Sequence, residues 1–126
     1  MRTVSIIVII IILLLGGSLT SYRYLQATTQ TLGAQFEAVE QAISSHKWST
    51  AQNELNTAQE RWDKNKAWWT VLLDHQEIDT IDISMSRLGK YIETQNMSLS
   101  LGEVSALKLQ LDHIVDTEKL NLQNIL

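Results

Sequence analysis

The most restrictive feature of this sequence is a long apolar run at its amino terminus. Residues 4–15 read VSIIVIIIILLL and contain one polar residue. The low-polarity stretch at 3–20 would span about 27 Å as a helix, which is close to the hydrocarbon thickness of a bilayer. Arg2 and the terminal amine precede the run and Arg23 follows it, so the positive-inside rule places the amino terminus in the cytoplasm. We therefore predict a transmembrane signal anchor at 1–22.

A cleaved signal peptide is the competing interpretation of the same run. Signal peptides have shorter apolar cores, and the small residues GGS at 16–18 offer a cleavage site. We favour the retained anchor because the run nearly matches a bilayer and because Tyr22 and Tyr24 fit an interfacial aromatic belt. In both interpretations the remainder of the chain lies on the outer side of the cytoplasmic membrane.

The remaining residues have the composition of one small helical domain. The whole chain contains no proline, five glycines and no cysteine, so turn signals are few and thiolate metal sites are excluded. Arg2 is the only charged residue before position 21, so the rest carries nine basic against fourteen acidic side chains. This acidic balance disfavours nucleic acid as a partner.

Apolar residues recur at helical spacing in four stripes, separated by SSHKW at 44–48, DKNK at 63–66 and TQNMS at 94–98. We predict an all-α chain, in which the N-terminal transmembrane helix is followed by an extracytoplasmic, antiparallel bundle of three or four helices at 23–126. The predicted core residues are Phe36, Val39, Ala51, Leu55, Trp62, Ile78, Ile81, Leu88, Leu107 and Leu111.

No helix breaker other than glycine separates the anchor from the first stripe. The two are therefore expected to form one rod unless Gly16 and Gly17 bend it or Gly33 interrupts it. The third stripe is expected to start at Val71. For the fourth helix we expect a start at Ser98 or Ser100, with Glu103 as capping partner of Ser100, an end near residue 116 and a tail that packs back on the bundle.

Polar residues in the third and fourth stripes form a candidate cluster of His75, Glu77, Asp79 and His113. His75 and Asp79 are four residues apart, as on one helical face, and His46 is a further histidine that a fold might bring to them. We favour a packed, hydrogen-bonded network centred on His75, with Glu77 and Asp82 turned towards water. A metal centre and acid–base catalysis are the alternatives, and we assign no catalytic residue, cofactor or metal ligand.

The adjacent tryptophans Trp68 and Trp69 are a candidate aromatic contact. Adjacent side chains on a helix point about 100° apart, so both cannot face the same neighbour. We expect Trp69 to be buried and Trp68 to cover the end of the bundle, each indole N–H finding a partner. The functional alternative is an aromatic anchor for another protein, a glycan or the membrane surface.

Several of these features occur together over nearly the whole chain: a Trp-x-x-Ala helix start, later tryptophans, a His-x-Glu-Ile-Asp segment, a histidine in the last helix and an Asn-Ile terminus. They are Trp48, Ala51, Trp62, Trp69, His75, Glu77, Ile78, Asp79, His113, Asn124 and Ile125. The combination resembles an uncharacterised family of short, single-span membrane-anchored helical proteins from spore-forming Gram-positive bacteria. The resemblance implies a membrane or envelope protein as partner and implies no activity.

These observations predict a membrane-anchored helical interaction or structural module that is not an enzyme and binds another membrane or envelope protein. The alternative is a small metal- or acid–base-dependent envelope enzyme that uses the region of His75 and Asp79. The sequence does not specify the oligomeric state.

Overall fold

A computed structural model describes the backbone of residues 1–125 and their side chains, except the side chains at 18, 21, 72 and 118–125. The described chain consists of helices joined by short turns, which confirms the all-α prediction. The helices are α1 (Arg2–Ser44), α2 (Trp48–Lys64), α3 (Lys66–Leu72), α4 (His75–Glu93) and α5 (Met97–Ile125).

Helix α1 joins the apolar run to the bundle without a break. It is 43 residues long, about 65 Å at the usual rise. Gly16, Gly17 and Gly33 all lie within it and do not interrupt it, so the apolar run and the first stripe form one continuous helix. The apolar residues before position 15 are exposed, and Leu25 is the first buried residue among the described side chains. By length and composition α1 is able to cross a membrane.

Four of the helices form an antiparallel bundle, in which α1 contacts α2 and α5, and α4 contacts the same two helices. The opposite directions of α2 and α4 are visible in two contacts, since Leu55 lies against Gly89 and Trp62 against Asp82. Every predicted core residue is buried. The buried set also includes Leu25, Leu32, Ile43, Met85, Ile92, Val104 and Ile114.

The fifth helix, α3, lies at the end of the bundle where α1 enters from the apolar run, and we call this end the base. The Tyr24 hydroxyl of α1 donates to Asn65 Oδ1 at 2.7 Å, which places the end of α2 beside Tyr24. From there α3 crosses to the start of α4 and contacts both α2 and α4. Trp69 and Leu73 point from this segment into the core.

The residues of the third predicted stripe lie on two helices, α3 and α4, instead of one. The chain is extended at Leu73 and Asp74, and the Asp74 carboxylate accepts from the Gln76 backbone N–H at 3.4 Å as the N-cap of α4. Val71, the expected start of the third stripe, is therefore on α3 and is 78% exposed. The gap in the stripe at Asp74 and His75 is a helix boundary.

The boundaries of α5 also differ from the prediction. The helix begins at Met97, and the Asn96 side chain, not that of Ser100, accepts from the Leu99 backbone N–H at 3.0 Å. The helix continues to Ile125, well past the predicted end near residue 116. The predicted packing of the tail at 121–126 lies outside the described side chains.

The two distal turns have the same structure. His46 and Gln95 follow α1 and α4 with φ angles of 60° and 54°. The N–H of the next residue bonds back to the helix in both turns, from Lys47 to Ala42 at 2.8 Å and from Asn96 to Tyr91 at 2.9 Å. These are Schellman endings, which usually place glycine at the left-handed position.

Candidate functional site

The predicted polar cluster does not form a buried network. His75, Asp79 and His113 are exposed and Glu77 is half-buried. None of the four side chains makes a hydrogen bond to a described residue. His75 is the first residue of α4, at the base of the bundle, because the helix breaks at Asp74. His46 lies in the turn after α1, at the opposite end, so it cannot join the others.

Two of the four predicted residues do share a groove between α4 and α5. Glu77 and His113 line a groove of about 350 Å³ together with Thr80 and Gln110, whereas His75 and Asp79 do not contribute to it. The Oε1 atom of Gln110 is buried and has no donor among the described residues. The groove therefore offers a carboxylate and a carbonyl oxygen, which accept hydrogen bonds, and an imidazole, which can donate as well as accept. Within residues 1–117 no three His, Asp or Glu side chains are placed to hold a metal ion.

The tryptophans form a stacked pair with one polar contact. Trp62 and Trp69 are both buried, and their ring centroids are 5.0 Å apart at an interplanar angle of 24°. The Trp62 indole N–H donates to Asp82 Oδ1 at 2.7 Å. Asp82 Oδ2 lies 2.9 Å from the Lys66 ammonium group, and this hydrogen bond raises the pKa of Lys66. The Asp82 carboxylate of α4 therefore bonds both to Trp62 of α2 and to Lys66 of α3.

Asp82 was expected to face water, and that expectation is wrong. Its side chain is 27% exposed and engages two partners. Both partners are distant in sequence, Trp62 by twenty positions. Helical spacing indicates which face a residue occupies but not which residue of another helix it meets. The sequence signal that was present, a carboxylate one turn from buried Ile78, was too general to identify this contact.

The adjacent tryptophans are placed as predicted, but their indole N–H groups lack the hydrogen-bond partners that were predicted. Trp69 is fully buried, and Trp68 is half-buried with its ring edge-on to Tyr24, at a centroid distance of 4.9 Å and an angle of 83°. Both Nε1 atoms are buried without an acceptor among the described residues. An unpaired buried donor costs stability, typically about 1–3 kcal/mol.

Other charged residues join helices in pairs. Glu103 accepts from the Ser84 hydroxyl at 2.5 Å and from Arg87 Nη2 at 2.9 Å, which connects α5 to α4. It was expected to cap α5 with Ser100, and the observed contacts replace that role. Gln35 of α1 donates to Glu54 of α2.

Lys108 connects α5 to α1. Its ammonium group lies 2.5 Å from Glu37 and 3.4 Å from Glu40. The hydrogen bond with Lys108 lowers the pKa of Glu37, and the same hydrogen bond raises the pKa of Lys108. These charged side chains thus connect neighbouring helices at the surface of the bundle.

These features define a class: a small all-α bundle built on the second half of a long helix whose first half is apolar and exposed. The family model for a domain of unknown function, DUF4363, matches residues 19–125, and the chain belongs to this family. The match confirms the predicted membership of an uncharacterised family, while the association with spore-forming bacteria stays a prediction. No curated protein and no solved structure matches the chain.

Proposed function

We propose that the protein is a membrane-anchored interaction module, without catalytic activity of its own, whose bundle stands on the outer face of the cytoplasmic membrane and binds another membrane or envelope protein. The observation that carries the proposal is the continuity of α1. One helix supplies an exposed apolar segment long enough to cross a bilayer and, from Leu25 onward, core residues of the bundle. The amino terminus, with Arg2, lies in the cytoplasm.

A continuous helix at this junction restricts the position of the bundle. A flexible linker would let a domain sample many heights and orientations above the membrane, whereas a helix holds it close to the surface. Confinement raises the effective concentration of the bundle towards proteins in the same membrane. This supports a membrane or envelope protein as the partner.

The contacts of the polar residues support an interaction role over the enzyme alternative. Asp82, Glu103 and Lys108 each bond to side chains of other helices. The alternative rests on His75 and Asp79, which are exposed and do not share the α4–α5 groove. A catalytic pair needs mutual hydrogen-bond geometry and a place for substrate.

Fractionation and protease accessibility test the anchor and its direction. The full chain should remain in the membrane pellet after alkaline carbonate extraction, and protease added to spheroplasts should digest the bundle. A chain lacking residues 1–20 should be recovered as a folded, soluble bundle, and it serves as the control. A full chain that is released as a shortened soluble protein would establish the signal-peptide interpretation, and protection of the bundle from protease would reverse the orientation.

Photocrosslinking tests the partner. A photoreactive amino acid is placed singly at Ile83, Leu99 and Leu109, which are 55%, 49% and 69% exposed. We expect a discrete crosslinked membrane or envelope protein from at least one position, and its loss when residues 1–20 are absent. If no membrane or envelope protein is crosslinked from any of the three positions, the proposal is contradicted.

A further inference from the structure

The base of the bundle lies immediately beside the apolar run. Tyr24 is four residues after Thr20, the last residue of that run, a separation of about 6 Å along a helix. Trp68 of α3 contacts Tyr24 edge-on at 4.9 Å, and Asn65, at the start of α3, bonds to the Tyr24 hydroxyl. Because α1 is unbroken between Thr20 and Tyr24, α3 stays at this level relative to the run.

Helix α3 has one face in the core and an opposite face that is exposed. Trp69 is fully buried, whereas Val71 is 78% exposed. Two residues further along a helix corresponds to a rotation of about 200°, so Val71 lies on the opposite side of α3 from Trp69. Val71 is the most exposed large hydrophobic side chain among the described residues after position 20.

We infer that the base rests on the lipid headgroups of the bilayer that α1 crosses, with Val71 inserted and Tyr24 and Trp68 at the interface. This inference rests on the proposed membrane anchor and adds a second contact with the same bilayer. Tryptophan and tyrosine are enriched at the headgroup level because their rings are apolar and their tips polar.

The contact is apolar and aromatic, and it does not depend on anionic lipid. Lys66, the basic residue at the start of α3, is already paired with Asp82. The neighbouring charges of Asp63 and Lys64 oppose each other, and Arg23, beside Tyr24, is one further exposed cation. Attraction of a polybasic segment to anionic headgroups needs several unpaired cations, so neutral phosphatidylcholine should support the contact.

Site-directed spin labelling of the full chain tests the inference. The sequence has no cysteine, so Val71→Cys provides one labelling site after reconstitution in phosphatidylcholine vesicles. The matched control is Leu99→Cys, an exposed hydrophobic residue near the distal turn. Helix α4 separates the two ends by 19 residues, about 28 Å. Ile9→Cys, within the apolar run, reports the anchor itself.

Collision rates of the label with oxygen and with a water-soluble nickel chelate measure its depth, since oxygen concentrates in lipid and the chelate stays in water. We expect the label at position 71 to show higher oxygen and lower nickel accessibility than the label at position 99. If position 9 is in lipid while 71 and 99 are equally accessible to nickel, the inference is wrong and the anchor stands. If position 9 is itself in water, both the anchor and the inference fail.

Discussion

Trp62 and Trp69 have the same side chain and the same burial, and they differ in one hydrogen bond. Trp62 donates to Asp82, whereas the Trp69 N–H has no acceptor among the described residues. Their stacked rings fill the core above the base. The two positions therefore allow the contribution of a single buried indole N–H to be separated from that of ring volume.

We predict that Trp62→Phe destabilises the protein more than Trp69→Phe. Both substitutions remove a similar volume, but only the first removes a hydrogen bond to a carboxylate, a difference of about 1–2 kcal/mol in the free energy of unfolding. Asp82→Asn, which keeps an acceptor for Trp62, should cost less than Asp82→Ala. Denaturant unfolding of the four variants measures this, and equal losses for the two tryptophans would mean that the Asp82 contact contributes nothing.

His75 is expected to tolerate substitution, contrary to what its place in the sequence pattern suggested. An exposed side chain without a partner is usually worth less than about 0.5 kcal/mol. His75→Ala should therefore leave the melting temperature unchanged, and zinc or manganese should not raise it in either protein. A rise with metal that is lost in His75→Ala would support the enzyme alternative.

At the scale of single elements, the distal turns contain a strained residue. His46 has a φ of 60°, while its neighbour Ser45 has a φ of −91°. A side chain at a left-handed position costs about 1 kcal/mol, which glycine avoids. We predict that His46→Gly raises the free energy of unfolding by a similar amount and that Ser45→Gly does not, as measured by thermal melts. An equal effect of both would show that the turn is not strained.

The ion pair between Lys108 of α5 and Glu37 of α1 predicts that the stability of the protein depends on pH. Lys108 holds the pKa of Glu37 below its ordinary value of 4.5, so the pair stabilises the protein above pH 4.5 and the effect is lost as the pH falls through the lowered pKa. Conversely, the raised pKa of Lys108 means that its contribution persists below 10.5 and is lost as the pH rises further.

Lys108→Met should lower the melting temperature at neutral pH, and the difference from the wild type should shrink in acid once Glu37 is protonated. Lys90→Met is the matched control, because the pair of Lys90 with Glu93 lies within one helix and is 77% and 65% exposed. A difference that stays constant from pH 7 to acid would mean that the loss comes from the Lys108 stem and not from its charge.

Helix faces were predictable from the sequence, and helix ends and polar partners were less so. Spacing alone identified the core because a stripe at helical period has one inward face. The break at Asp74 was missed because the apolar spacing from Val71 to Ile78 fits a continuous helix. Asp74 followed three residues later by Glu77 is a helix-start signature that was available. The contacts of Asp82 required the packing of α2 against α4, which no local pattern contains.

For the molecule as a whole, both proposals require α1 to be one rigid helix from the apolar run to the distal turn. In that case the proposed anchor would hold the bundle at a fixed height on the membrane, and the base, with α3, would face the lipid. The groove between α4 and α5, lined by Glu77 and His113, opens on the side of the bundle. A hinge between the run and the bundle would remove the basis of both proposals.

A distance measurement between two spin labels on α1 tests whether this helix is rigid. Val8→Cys and Gln41→Cys place labels at exposed positions on either side of the junction. The cysteine-free chain, reconstituted in vesicles, contributes no other labelling site. We predict one narrow distribution of label-to-label distances centred at about 50 Å, the length of 33 residues of helix. A broad distribution, or a maximum well below that length, would contradict it.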